Sequence, residues 1–375
     1  MNKLEAKNLI VNTFENPFNE AQFTYFIKNL LNNVDESKKE IYRGNLIPDA
    51  YDDAVSSYKR IGQYKDVKNN VIDLLIVKLK KETSLERARS MQRNFIARYL
   101  KKKIHDAALV AYYTDGNNDW RFSLVKMDIN LNEKKIETDF TPARRYSFLV
   151  GTNEGSHTAQ NQFVKLITEK EENPTLDKIE DAFNIETVTK EFFLKYRDLF
   201  IRIKQSLDKV IKNDSTIEVE FKSKEINSVD FAKKLLGQIV FLYFLQKKGW
   251  FGVEKNSKWG SGSKKFLREI FEKKHGIYDN FFNDILEPLF YEALRNDRTH
   301  DDHYYSRFNC KIPFLNGGLF DPIGNYDWSK TDIILPNDLF SNTQQTKEGD
   351  TGDGILDVFD RYNFTVIEDE PLEKE

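Results

Sequence analysis

The spacing of apolar residues predicts an amphipathic α-helix close to the start of the chain. Asn19 is a residue type that caps helices, because its side-chain oxygen can accept a hydrogen bond from a free backbone N–H group. The apolar residues that follow recur three and four positions apart and share one helix face: Phe23, Phe26, Ile27, Leu30 and Leu31. We therefore expect this helix to pack on a core.

A pair of β-strands is predicted next. Residues 58–66 and 71–79 are strand-like, and the polar pair Asn69–Asn70 separates them, as in a hairpin. The second run, VIDLLIVKL, is apolar on both faces. Such a strand is buried on both sides, which indicates a central position in a sheet.

A helix and a second strand pair continue this domain. Ser84 can cap a long helix over residues 85–100. Strand-like runs at 108–113 and 120–127 follow, joined by turn residues at 115–118. The order helix, strands, helix, strands predicts an α/β domain over residues 1–150, with a central mixed sheet flanked by helices.

The rest of the chain is predicted to be mainly helical, as residues 151–310 contain apolar stripes at helical spacing. A helix capped by Ser228 has a centre, LLGQIVFLYFLQ, that is apolar all round but too short to cross a bilayer, so it should be a buried central helix. Pro288 predicts a kink or break in a helix over 278–294. Residues 311–375 are rich in Gly, Pro and Asn, which favours ordered loops.

The composition is typical of a soluble protein with more than one domain. A length of 375 residues with 39% hydrophobic residues is enough for two or three cores. The single cysteine, Cys310, excludes an intramolecular disulfide, and there is neither a cationic-then-apolar leader nor a long apolar span. We therefore expect a cytoplasmic location.

The formal net charge of -3 hides two segments of opposite charge. Residues 78–103 contain ten Lys or Arg against two Glu, whereas residues 346–375 contain ten acids against three bases. Within the basic segment, Arg87, Arg98 and Lys101 share one stripe of the predicted helix. This stripe is either a solvated face or a set of contacts to DNA phosphates.

Four phrases, taken together and in this order, resemble the sequence that precedes the methyltransferase core in type IIG restriction-modification enzymes. They are SFLVGTNEGSHTAQNQF (147–163), FLYFLQKKGWFG (241–252), FLNGGLFDP (314–322) and GILDVFDRYNFT (354–365). In that family a nuclease, a connector and an adenine methyltransferase share one chain. The resemblance implies that this chain is the front portion of such an enzyme, with residues 151–310 as the connector and 311–375 leading into the methyltransferase.

The resemblance also implies cofactors and partners. The partners would be double-stranded DNA and the downstream methyltransferase and target-recognition domains, with no membrane. The chain has neither an Asn-Pro-Pro-Tyr type motif nor a Gly-rich loop after a strand. Binding of S-adenosylmethionine is therefore expected only in the missing downstream domain.

The N-terminal domain of this family is commonly a magnesium-dependent nuclease with a Pro-Asp then (Asp/Glu)-x-Lys pattern. Its chemistry needs two carboxylates to hold Mg²⁺ and a lysine to orient or activate the attacking water. The candidate catalytic residues are Asp66, Asp73, Lys78 and, on the following helix, Gln92, and the candidate metal ligands are Glu40, Asp66 and Asp73.

The sequence departs from the family pattern near Lys78. The residue two positions before Lys78 should be an acid and is Ile76, and strand alternation puts Asp73 on the opposite face unless a bulge intervenes. An active nuclease site, an inactive or rearranged copy and an unrelated α/β domain all stay open. Gln92 lies on the apolar face of its helix and needs a partner, either a backbone carbonyl or the metal site.

Together these features predict a magnesium-dependent endonuclease-like domain and a helical connector, coupled to a downstream methyltransferase. The alternative is a non-catalytic DNA-binding or scaffolding module with a degenerate nuclease fold. The two differ in whether acids from two strands converge near Lys78.

Overall fold

The structure, a computed structural model, describes residues 1–80, 89–127, 143–169, 173–315, 317–347 and 349–362. The chain divides into two compact units, of which the first is Met1–Val188 and the second begins at Thr189. Residues 151–188 lie in the same unit as the central sheet, whereas the sequence pattern predicts that the connector begins at residue 151. The predicted cap at Ser84 and the acidic residues from 363 onward lie outside the described residues.

One mixed seven-stranded sheet forms the centre of the first unit. Its strands are β1 Val34–Asp35, β2 Glu40–Arg43, β3 Val55–Lys65, β4 Val71–Leu79, β5 Ala107–Tyr113, β6 Asp119–Lys126 and β7 Arg144–Gly151. Strands β1 and β2 both pair with β3, and the order then runs through β4, β5 and β6 to β7. Strands β4 and β5 are parallel, while β3–β4 and β5–β6 are antiparallel pairs. The two predicted strand pairs are therefore confirmed.

Helices cover both faces of this sheet. They are α1 Lys3–Phe14, α2 Glu20–Leu30, α3 Arg89–Lys103, α4 His157–Thr168 and α5 Leu176–Ala182. Helix α3 packs on one face, and the other four pack on the opposite face. Strand β4 supplies Ile76 to the core on the four-helix side and Val77 to the core under α3. The predicted mixed sheet flanked by helices, with β4 as a central strand, is confirmed.

Two local signals act as predicted. The side-chain oxygen of Asn19 accepts a hydrogen bond from the N–H of Gln22 at 3.0 Å, and α2 begins directly after it. Gly116 has a φ of 74°, which glycine adopts without strain, and the Asn117 side chain accepts from the N–H of Asp119 at 3.0 Å. These contacts define the start of α2 and the turn between β5 and β6.

The second unit is mainly helical. Its elements, counting the helix that begins shortly before it, are α6 Ile185–Asn213, α7 Ser215–Ser223, α8 Ser228–Lys247, α9 Phe266–Phe271, the strands β8 Tyr304–Tyr305 and β9 Cys310–Lys311, and α10 Ile355–Arg361. Helix α8 is the predicted central helix and is largely buried, although Phe241 is 37% exposed. Among the helices that the structure describes, none combines the length and the apolar character needed to span a membrane.

Two details of the second unit differ from the sequence prediction. The N-cap of α8 is Asn227 rather than Ser228, because the Asn227 side chain accepts from the N–H of Asp230 at 2.8 Å. Pro288 lies between two π-helical segments, Phe282–Leu286 and Leu289–Leu294. The helix therefore widens around the proline, which has no backbone N–H to donate, instead of stopping there.

An ion-paired cluster joins α9 to α10. Arg268 Nε donates to Asp360 at 2.8 Å, and a terminal nitrogen of the same guanidinium donates to Asp357 at 3.0 Å. The other terminal nitrogen donates to the Ser341 hydroxyl at 2.7 Å, and the Tyr243 hydroxyl donates to Asp360 at 2.6 Å. Arg268 is thus the shared cationic partner of Asp357 and Asp360.

We expect Arg268→Ala to lower the free energy of unfolding of the second unit by about 3 kcal/mol, because it leaves two partly buried carboxylates without their shared cation. Hydrogen exchange at the amides of Ile355–Arg361 measures this locally. As a control, Lys274→Ala removes an exposed cation paired with Glu272 and should change the free energy by less than about 0.5 kcal/mol. Equal protection of these amides in both variants would contradict the assigned role of Arg268.

Candidate functional site

Asp66 closes the turn between β3 and β4. One carboxylate oxygen accepts from the N–H groups of Lys68 at 2.9 Å and Asn70 at 2.8 Å. The other accepts from the Asn70 side-chain amide and from the N–H of Leu176, both at 2.8 Å. Burial disfavours the charged carboxylate, but the hydrogen bonds from Asn70, Leu176 and Lys68 outweigh it and lower the pKa of Asp66. A metal ion at Asp66 would have to displace these donors.

Asp73 lies in the middle of the sheet, on the α3 side of β4, and its side chain is fully buried. Gln63 donates to it at 3.1 Å, and Nδ1 of His105 lies 2.6 Å from its other oxygen. A terminal nitrogen of Arg60 lies 3.6 Å from Asp73 Oδ1. A charged carboxylate is stable in such a place only with partners of this kind.

Arg60 connects Asp73 to Glu40. Glu40 on β2 is directly opposite Arg60 on β3, and the second terminal nitrogen of the guanidinium lies 3.1 Å from Glu40 Oε2. Glu40 also accepts from the Tyr42 hydroxyl and lies 3.5 Å from Lys103 Nζ. The Tyr42 hydrogen bond, with the charges of Lys103 and Arg60, lowers the pKa of Glu40. The Arg60 guanidinium is thus the positive partner of both Glu40 and Asp73, in the place that a metal ion would take.

Lys78 lies on the opposite face of β4 from Asp73. The irregular positions of the β3–β4 pair, Ser56 and Ile61, are in β3, so side chains alternate without interruption along β4. Lys78 Nζ lies 2.5 Å from Asp115 Oδ2, and this hydrogen bond raises the pKa of Lys78. Asp73 and Lys78 therefore do not converge on one point.

Gln92 is fully buried on α3, above a different part of the sheet from Asp73. Its backbone carbonyl accepts from the Tyr112 hydroxyl at 3.0 Å. Tyr112 is paired with Val77, four residues beyond Asp73 on β4. This offset corresponds to about 13 Å along a strand. Gln92 and Asp73 thus lie over different parts of the same core.

The structure brings Glu40 and Asp73 together and leaves Asp66, Lys78 and Gln92 apart from them. Across the described ranges, no three His, Cys, Asp or Glu side chains are placed to hold a metal ion. Sequence reasoning missed Arg60 and His105, which complete the cluster around Asp73. Both residues were visible in the sequence, but matching them to Asp73 requires the strand register, which one sequence does not provide.

Helix α3 presents basic side chains to solvent. Arg98 and Lys101 are both exposed, whereas Arg87, the third residue of the predicted stripe, lies outside the described residues. Exposed cations on one helix face can contact successive phosphates of a nucleic acid. This face is therefore the part of the predicted phosphate-binding stripe that the structure places at the surface.

Replacing Asp66 with Asn should destabilise the first unit by about 2 kcal/mol at neutral pH, because an amide cannot accept all the hydrogen bonds that the carboxylate accepts. The pKa of Asp66 is lowered in the folded protein, so its stabilising effect is present above the ordinary value of 3.8 and is lost as the pH falls through the lowered pKa. Urea unfolding of both proteins across this range should show the difference closing in acid.

The matched control for this experiment is Asp177→Asn, which removes an exposed carboxylate paired with Lys68. It should change the free energy of unfolding by less than about 1 kcal/mol at any pH. If Asp66→Asn is as stable as the parent at neutral pH, the turn does not depend on Asp66.

Comparison with known proteins identifies a curated relative of half this chain. It comes from Methanocaldococcus jannaschii and carries the name "Putative type II restriction enzyme and methyltransferase". The two are 25% identical over 211 residues, which is 50% of this chain and 16% of the relative. No protein-family model matches the chain, and no solved structure matches it. The resemblance to type II restriction-modification enzymes that the sequence predicts is confirmed by this relative.

Proposed function

We propose that this chain is the part of a single-chain type II restriction-modification enzyme that precedes its adenine methyltransferase. In this proposal the first unit is a nuclease-like module that binds double-stranded DNA without cutting it, and the second unit is a helical connector. The main support for binding without cutting is that Arg60 bridges Glu40 and Asp73, the two carboxylates that a metal site would need.

The order of elements in the first unit supports a nuclease-like frame. Strands β3 and β4 form an antiparallel pair, α3 follows, and β5 then pairs parallel to β4. The nucleases implied by the resemblance carry their acids and their lysine on neighbouring strands, followed by a helix that packs across the sheet. Asp73 and Lys78 occupy such a strand here.

The surroundings of the acids argue against hydrolysis. Hydrolysis with Mg²⁺ needs carboxylates that are free to coordinate the metal and a lysine beside them. Here Asp66 is used by the β3–β4 turn, Asp73 is ion-paired, and Ile76 offers no ligand beside Lys78. Moving Arg60 away from Asp73 would take its guanidinium from a buried carboxylate and leave Gln63 and His105 as partners, at a cost of up to about 3 kcal/mol.

The alternative is an active magnesium-dependent endonuclease. It is favoured by the closeness of Glu40 and Asp73, which would provide two carboxylates for Mg²⁺ if Arg60 turned to a DNA phosphate instead. In that case DNA binding itself would open the metal site.

Contact with DNA is assigned first to α3. Arg98 and Lys101 are exposed on it, and surface cations in such an arrangement bind phosphates without reading the base sequence. Such contacts position a duplex and leave its sequence to be read elsewhere. Base recognition in this proposal belongs to the target-recognition domain downstream of the methyltransferase.

The full-length parent enzyme should methylate DNA and leave it uncut. Supercoiled plasmid incubated with the enzyme, S-adenosylmethionine and Mg²⁺ gives both readouts, methyl incorporation and nicking. No nicking is expected, because the carboxylates of the first unit are held by Arg60 and by the turn. Nicking that both Asp73→Ala and Glu40→Ala abolish, with methylation retained, would establish the active endonuclease instead.

The double variant Arg98→Ala/Lys101→Ala should bind duplex DNA more weakly than the parent. It should also reduce the slope of log affinity against log salt by about 2, since each lost phosphate contact removes about 0.9. Fluorescence anisotropy at several salt concentrations measures both effects. The control Lys65→Ala/Lys68→Ala removes the same charge from exposed positions near the β3–β4 turn and should bind as the parent does. An unchanged slope in the α3 variant would show that this face is merely solvated.

A further inference from the structure

A cleft lies on the Lys78 side of the sheet, away from Asp73. Its volume is about 340 Å³, which is at the lower end of the range for ligand pockets. Strands β2, β3, β4 and β5 all contribute to its lining, and its cationic side chains are Arg43, Lys59 and Lys78. The cleft is therefore a basic site that the metal-site candidates do not include.

Strand register sets these side chains in rows on one face. Arg43 is opposite Ser57, Ser57 is opposite Lys78, and Lys78 is opposite Tyr113. Residues directly opposite one another on paired strands share a face, and neighbouring strands are about 4.8 Å apart. Lys59 lies two residues from Ser57 and shares that face. Three cations thus surround a hydroxyl within a span of about 10 Å.

The charges in the cleft favour an anionic ligand. The lining contains no carboxylate, and within the described part of the chain the Arg43 side chain makes neither a hydrogen bond nor an ion pair. Lys59 pairs with Glu20 and Lys78 pairs with Asp115, whose side chains are 50% and 74% exposed. Pairs this exposed contribute only about 0 to 1 kcal/mol. An incoming anion can therefore replace Glu20 and Asp115 at small cost.

The side chains other than the cations determine which anion fits. Ser56 and Ser57 provide hydroxyl donors of the kind that bind phosphate oxygens, and Ile41 and Ile76 provide apolar surface beside them. A phosphate flanked by sugar rings presents the same combination of charged and apolar surface. Ile76 also occupies the position at which an acid would be needed for a metal, so positive charge in this cleft comes from side chains alone.

We propose that this cleft binds a phosphodiester group of the DNA backbone through Arg43, Lys59 and Lys78, without a metal ion. The identity of the ligand as DNA rests on the proposed function. Lys78, a candidate catalytic residue in the sequence, is then a phosphate-binding residue. The cleft adds a contact to DNA that is separate from the exposed face of α3.

The test is duplex DNA binding in the presence of EDTA. Arg43→Ala/Lys78→Ala should weaken binding about tenfold at moderate salt and reduce the salt slope by about 2. Ser57→Asp should weaken binding at least as much, because it places a carboxylate between the cations, whereas Ser57→Ala removes a single hydroxyl donor and should weaken binding by a smaller factor than Ser57→Asp. The charge-matched control is again Lys65→Ala/Lys68→Ala, and circular dichroism confirms that each variant is folded.

The outcomes separate this inference from the proposed function. If Arg43→Ala/Lys78→Ala and Ser57→Asp bind as the parent does while Arg98→Ala/Lys101→Ala binds weakly, the cleft assignment is overturned and the proposed function stands. Binding that disappears in EDTA also overturns it, because a metal would then supply the charge.

If the parent binds no DNA, the proposed function is wrong. Binding of inorganic phosphate then tests whether the cleft is an anion site. A melting temperature that rises with phosphate in the parent but not in Arg43→Ala/Lys78→Ala supports a phosphate site. A melting temperature that does not respond to phosphate in the parent overturns it.

Discussion

A charged carboxylate in the centre of an apolar sheet has to be compensated, and in this chain Arg60 compensates Asp73. The same guanidinium reaches Glu40 on the edge strand, while Lys103 approaches Glu40 from the end of α3 and His105 approaches Asp73 from just beyond it. The cluster therefore connects the edge strand β2, the central strand β4 and helix α3. Breaking this cluster would leave buried charge uncompensated, so side chains paired in this way are poorly suited to coordinate a metal.

Features set by one segment of chain were predictable, and features set by pairing between segments were not. Periodicity within one strand predicts the two-sided burial of β4 and the separation of Asp73 from Lys78. The residue type alone predicts the Asn19 cap. The placement of Glu40 opposite Arg60 depends on the register of two strands. The packing of α4 and α5 on the sheet likewise depends on contacts with distant parts of the chain, so their apolar faces could be predicted but their partner could not.

Three of the four phrases that carry the family resemblance contact one another inside the second unit. The ring of Phe241 packs with that of Phe320 at 5.9 Å, and the Tyr243 hydroxyl donates to Asp360 at 2.6 Å. These contacts join the phrases at 241–252, 314–322 and 354–365. These three phrases therefore take part in the packing of the second unit, and none of the candidate catalytic residues lies in them.

The link between Asp66 and Leu176 has a consequence for how the first unit forms. This hydrogen bond and that from Tyr64 to the carbonyl of Pro174 each join groups 110 residues apart. The β3–β4 hairpin needs only local contacts, whereas closure of so long a loop comes late in folding. During synthesis, the sheet face beneath α4 and α5 stays uncovered until the chain beyond Ala182 has left the ribosome. Through that interval an apolar surface is open to chaperones and to aggregation, and the interval lasts until Ala182 has emerged from the ribosome.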